Sequence, residues 1–145
     1  SKSIAVAVDG INSVGGVAIP KFLESLGIKK IKKINCNPDG NFNHNPEPLP
    51  ENITDLCSEV KRGKYQLGIV VDPDADRLVL VDERGEPFGE EYTLVAAAEY
   101  LLSKNHGAST CSNLSSTLAL KNITEKYGGK YFSSAVGEIN VVQVM

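Results

Sequence analysis

The chain has 145 residues, 41% of them hydrophobic and 23% charged, with a net charge of −3 and a pI near 5.4. This is the balance of an ordinary globular protein with room for one domain, or one and part of another, and it lacks the basic footprint of a nucleic-acid-binding domain. No apolar stretch approaches the length of a membrane span, so neither nucleic acid nor membrane is an expected partner. A secretory leader ahead of Ile4 is not expected, since a charged n-region and a cleavage site do not appear there. Cys36, Cys57 and Cys111 are odd in number and widely spaced, which suits buried small hydrophobes in a reducing, cytoplasmic setting.

Taken in order, residues 4–8 read as a strand ending at Asp9-Gly10. Residues 12–26 read as a helix with Gly15-Gly16 near its start and Gly27 as its stop; Pro20 marks either a kink or a later start near Ile19. Residues 31–35 are a second strand, and the run Lys29-Lys30-Ile31-Lys32-Lys33 is its solvated beginning. Residues 37–50 form a long loop with prolines at 38, 46, 48 and 50, and ordered loops of that length usually have a functional reason. Residues 51–62 form a helix that turns Ile53, Leu56, Cys57 and Val60 inward.

The run Leu67–Val71 is apolar throughout and rich in β-branched residues, the pattern of a strand covered on both faces. Leu78–Val81 returns as its hairpin partner, followed by a turn at residues 83–86. Residues 90–103 form a helix with Leu94, Val95, Ala98, Leu101 and Leu102 inward. A new strand–helix–strand begins near Ala108. Its helix is capped by Ser115 or Ser116 and stopped by Gly128-Gly129, and residues 130–134 form the next strand. Val136-Gly137-Glu138 opens a last segment that reads as a helix cut mid-element, so the chain is expected to be a fragment. The alternation predicts an α/β fold: a mixed, mostly parallel sheet with helices on both faces, in three layers.

Between the two apolar runs lies Asp72-Pro73-Asp74-Ala75-Asp76-Arg77. Parallel α/β sheets place ligands just beyond the carboxyl ends of their strands, which is where this triplet begins. Three carboxylates so close together repel one another, and a hard divalent cation removes that penalty. Mg²⁺ prefers oxygen ligands and keeps positions open for substrate phosphate, while Arg77 adds a planar fork suited to phosphate oxygens. A solvated acidic turn would not need three alternating carboxylates. An EF-hand loop would match Asp72, Asp74, Asp76 and Glu83, but it needs Gly where Arg77 stands and helices where strands are expected. A haloacid-dehalogenase-type phosphatase would use Asp72 as nucleophile and a similar metal, but lacks here the downstream lysine and acidic pair.

Other polar residues have plainer readings. Asp9-Gly10 reads as a strand-end turn, Asn12 and Ser13 as helix caps rather than an anion site, and His44 as a solvated loop histidine. Ser115, Ser116 and Thr117 read as a cap because no base accompanies them.

With these residues in hand, the chain resembles the α-D-phosphohexomutases, the family of phosphomannomutase, phosphoglucomutase and phosphoglucosamine mutase. The family's metal loop is close to Asp-Gly-Asp-x-Asp-Arg; here Pro73 replaces its Gly, and all three Asp and the Arg are kept. Val6-Ala7-Val8-Asp9-Gly10 resembles the opening strand of the family's second domain. Pro38-Asp39-Gly40-Asn41-Phe42 and His44-Asn45-Pro46-Glu47-Pro48 resemble its proline-rich loop. Val136-Gly137-Glu138-Ile139-Asn140 resembles a sugar-facing loop of the third domain, although the family often has Gly-His at that point.

The resemblance implies a second domain over residues 1–105 and the first part of a third over 106–145. It implies that Asp72, Asp74 and Asp76 bind Mg²⁺, and that Arg77 contacts the transferring phosphate or steadies the loop. Gly137 and Glu138 would lie near the sugar. The implied reaction interconverts hexose 1- and 6-phosphates through a hexose 1,6-bisphosphate, using a phosphoserine outside this chain. The partners are then hexose phosphates and the enzyme's remaining domains, and the chain alone should be inactive. A metal- or sugar-phosphate-binding module without turnover is the non-catalytic alternative.

Overall fold

The structure is a computed structural model that describes residues 4–145. The expectation of no leader ahead of Ile4 concerns residues 1–3, which lie outside the described residues. Contacts divide the chain into two compact units, residues 1–90 and 91–145.

The first unit is built from β1 (Ala5–Asp9), α1 (Gly15–Ser25), β2 (Lys30–Ile34), α2 (Thr54–Gly63), β3 (Leu67–Val71) and β4 (Leu78–Val81). The strand order is β2-β1-β3-β4. β1 runs parallel to both β2 and β3, and β4 returns antiparallel to β3. The strands β1, apolar up to Asp9, and β3 take the centre, and alternation along them sorts the core. Ala7, Val70, Val79 and Val81 meet Ile53, Leu56 and Val60 of the α2 segment, while Val6, Val8 and Ile69 meet Leu23 of α1. The two helices therefore cover opposite faces, as the three-layer expectation requires. Each fully buried aliphatic side chain contributes about 1.5–3 kcal/mol to holding these layers. Lysines 30, 32 and 33 of β2 are exposed, as expected of a solvated strand, and they blunt its outer edge.

α1 starts at Gly15, later than residue 12, because Ile11 and Asn12 take left-handed backbone angles (φ 47° and 51°) that no helix can include. It does not wait for Ile19. The helix runs through the buried Pro20, whose missing amide forfeits only the bond to the Gly16 carbonyl. The Gly15-Gly16 pair has a packing reason. A Cβ on Gly16 would lie 2.6 Å from the Cys36 Cα, and one on Gly15 would lie 2.2 Å from a Val71 methyl. The helix start is thus pressed against the carboxyl ends of β2 and β3. α2 starts at Thr54 because the Asn52 amide donates to the Leu49 carbonyl, turning the chain first.

The second unit comprises α3 (Glu90–Lys104), β5 (Thr110–Asn113), α4 (Leu118–Lys126), β6 (Tyr131–Ser134) and α5 (Glu138–Val144). β5 and β6 pair in parallel, with α4 as their crossover. Contacts group α3 from Glu91 onward with the second unit, where residue 105 was the expected boundary, and Lys126 Nζ of α4 lies 3.0 Å from Glu99 Oε1 of α3. On α3, Val95 and Leu102 form the buried stripe, while Leu94 and Leu101 are exposed, contrary to expectation. The cap of α4 is Thr117, whose Oγ1 accepts from the Ala119 amide; Ser115 and Ser116 instead donate to the Asn113 carbonyl oxygen of the side chain. The three cysteines are half-buried rather than buried, and burial pushes the Cys36 and Cys57 thiols up, away from reactive thiolates. Among the described residues no helix is long and apolar enough to cross a membrane.

Candidate functional site

β3 delivers the acidic loop at the carboxyl edge of the sheet. Pro73 occupies the second position of a turn closed by the Ala75 amide donating to the Asp72 carbonyl at 3.1 Å. Ala75 then takes φ 61°, which swings the chain so that all three aspartates converge. Each of Asp72, Asp74 and Asp76 places a carboxylate oxygen within 4.8 Å of the others. Asp72 is buried and the other two are exposed. Among the described residues this is the one such cluster able to hold a metal ion. The flanking elements are strands, so the EF-hand alternative, which needs helices, does not fit.

The electrostatics follow from that crowding. Burial pushes the Asp72 carboxyl up, but hydrogen bonds from the Arg77 amide and from Asp76 and Asp74, with the Arg77 charge, more than offset it and hold it below the usual range. Asp76 goes the other way, raised by its hydrogen bond to Asp72 and by the charges of Asp74 and Asp72. The opposite shifts follow from two carboxylates whose charges repel at close range. An oxygen-only donor set with convergent negative charge fits a hard divalent cation such as Mg²⁺.

Polar contacts behind the aspartates, with no local sequence pattern, hold the loop in place. The Ser13 hydroxyl donates to the Pro73 carbonyl at 2.6 Å, and the Asn12 amide group donates to the Asn41 carbonyl while its oxygen accepts from the Asn37 amide. Neither residue caps α1, whose N-cap is Val14 with no side-chain bond. Asp9 is fully buried and accepts from the Ile11 amide, the Asn35 side chain and His44. His44 is therefore no solvated histidine: its side chain is 16% exposed, and its two ring nitrogens face Asp9 and the Asn45 carbonyl. From the same proline-rich loop, Glu47 Oε1 reaches Arg77 Nη1 at 2.8 Å. Prolines 46 and 48 on either side of Glu47 were the available signal.

Asp72, Asp74, Asp76 and Arg77 thus stand together in one loop. Gly137 and Glu138 belong to the second unit, where they open α5. Gly137 takes φ 122°, a backbone conformation that excludes most side chains, and its carbonyl accepts from the Asn140 amide.

Comparison with known proteins agrees with this arrangement. Residues 1–85 match the family described as phosphoglucomutase/phosphomannomutase, alpha/beta/alpha domain II, and residues 89–145 match its alpha/beta/alpha domain III. A phosphoglucomutase from Neisseria gonorrhoeae is 33% identical over 146 aligned residues, 99% of this chain and 32% of the relative. A phosphomannomutase/phosphoglucomutase from Pseudomonas putida is 36% identical over 90% of this chain and 28% of its own length. The crystal structure of a phosphoglucomutase/phosphomannomutase family protein from Burkholderia thailandensis superposes with a TM-score of 0.85 at 29% identity, covering 97% of this chain and 31% of that one. The chain spans just under a third of the length of the curated relatives it matches.

Proposed function

This chain belongs to the α-D-phosphohexomutase family, and from that premise we propose that it is the metal-loop portion of a Mg²⁺-dependent mutase that interconverts hexose 1- and 6-phosphates through a hexose 1,6-bisphosphate. The observation that carries the reading is the convergence of the Asp72, Asp74 and Asp76 oxygens within 4.8 Å, beside Arg77, at the carboxyl end of a buried strand. Phosphoryl transfer asks a protein chiefly for positioning and for charge neutralisation. In this reading Asp72, Asp74 and Asp76 hold Mg²⁺, which when bound supplies Lewis-acid neutralisation of the transferring phosphoryl group. Arg77 orients phosphate oxygens with its planar donors. Ser13 and Pro73 keep the loop seated on the sheet, so its carboxylates need not reorganise. Gly137 and Glu138 contact the sugar.

The phosphoryl-carrying serine and the remaining sugar and phosphate contacts come from other domains of the same enzyme, and the chain alone turns nothing over. A cytoplasmic location is proposed on the same footing, from the unpaired cysteines. The test is to incubate the full-length protein with Mg²⁺, a trace of hexose bisphosphate and each hexose 1-phosphate in turn, including that of glucosamine, and to follow phosphorus NMR. Conversion to the 6-phosphate without free phosphate is expected, and the relative rates name the sugar. Release of inorganic phosphate alone would replace the mutase with a phosphatase that uses Asp72 as nucleophile.

A further inference from the structure

We propose that Glu47 is the positioning residue for Arg77, and that the proline-rich loop of residues 37–50 is built to deliver it. The inference rests on the reading of Arg77 as a phosphate-binding group. The carboxylate and the guanidinium meet at 2.8 Å across thirty residues of sequence. Both side chains are about half exposed, at 52% and 46%. Exposed pairs of that kind add little to stability, so holding the fold together is a poor explanation for this one.

The backbone around Glu47 is fixed by three hydrogen bonds. Its amide donates to the Asn45 side chain at 3.1 Å, and its carbonyl accepts from the Leu49 amide at 2.8 Å and the Asn52 side chain at 2.9 Å. Pro46 and Pro48 lock φ on either side. The root of the loop is fastened to the end of β1 by His44 on Asp9 and by Asn12 on Asn37 and Asn41. Arg77 is held from the opposite side, where its amide donates to Asp72 Oδ1 at 3.1 Å. A carboxylate beside a phosphate site repels the ligand, so placing one there needs a compensating gain. That gain is a guanidinium restrained by Glu47, which narrows its orientations before the phosphate arrives and loses less freedom when it binds.

Two readouts test this on the full-length protein: the order of the Arg77 Nε–H group by ¹⁵N NMR relaxation, and kcat/KM for hexose phosphate. Glu47→Ala is expected to mobilise the Arg77 side chain and lower kcat/KM about tenfold, while Glu47→Gln, which keeps an acceptor, restores most of both. In an Arg77→Ala background, Glu47→Ala should change kcat/KM less than about twofold, because the two residues act as a unit. An Arg77 that stays ordered in Glu47→Ala overturns the inference, as does an equal loss in both backgrounds or an unchanged kcat/KM. If Arg77 loses its order in Glu47→Ala while the wild-type protein turns over no hexose phosphate, the positioning role stands and the mutase reading falls.

Discussion

His44 Nε2 lies 3.2 Å from Oδ2 of Asp9, a carboxylate with no exposure to solvent at the end of β1. The pair joins the central strand to the proline-rich loop across thirty-five residues of sequence. Removing the imidazole leaves Asp9 with the Ile11 amide and the Asn35 side chain, fewer partners than a buried carboxylate requires. His44→Ala should therefore cost about 1–3 kcal/mol of stability, read as a lower urea midpoint at unchanged slope. An unchanged midpoint would mean that the loop is held without this contact.

Ala75 gives a prediction of unusual sign. Its φ of 61° places a Cβ where L-residues are strained, in a turn that the three aspartates need in order to converge. Replacing alanine by glycine normally destabilises, through the entropy of the unfolded chain. Here the relief of left-handed strain, about 1–2 kcal/mol, exceeds that cost, so Ala75→Gly should raise stability by about 0.5–1 kcal/mol. A lower melting temperature for Ala75→Gly would refute the conformation assigned to the loop.

The turn after β4 carries a pH signature. The Glu86 amide, foremost, and the side chain and amide of Arg84 hold the Asp82 carboxyl below its ordinary range against a smaller desolvation cost. A depressed folded value means that the stabilisation is full above the unfolded pKa of about 3.9 and is lost as pH falls through the folded value. The difference in melting temperature between wild type and Asp82→Ala should be wide at neutral pH and close in acid below about pH 4. A difference that does not change with pH would show that the carboxylate charge is not what the turn uses.

How legible all this was in the sequence depends on the distance between partners. Asp72, Asp74, Asp76 and Arg77 are nearly contiguous, so their chemistry could be read from spacing alone, and the apolar runs of β1 and β3 marked the centre of the sheet. Glu47, His44 and Asp9 act through partners thirty or more residues away, and no local pattern records which loop folds against which strand. The start of α1 is not legible because the left-handed angle at Ile11, a β-branched residue, has no sequence signal, and Asn12 beside it reads equally as a cap. Leu94 and Leu101 looked like core by helical spacing, yet the structure buries the adjacent stripe of Val95 and Leu102. Ser115, Ser116 and Thr117 can all cap α4 by residue type, and it is Thr117 that does so because Asn113 engages the other two.

The most direct test of the account is Asp74→Asn in the full-length enzyme, read as Mg²⁺ affinity and turnover together. The variant removes one charge from the convergent oxygens and barely alters an exposed side chain's volume. The account predicts an unchanged circular dichroism spectrum, Mg²⁺ affinity reduced by more than about tenfold, and loss of hexose phosphate interconversion. Wild-type affinity and turnover in Asp74→Asn would remove the acidic loop from the chemistry.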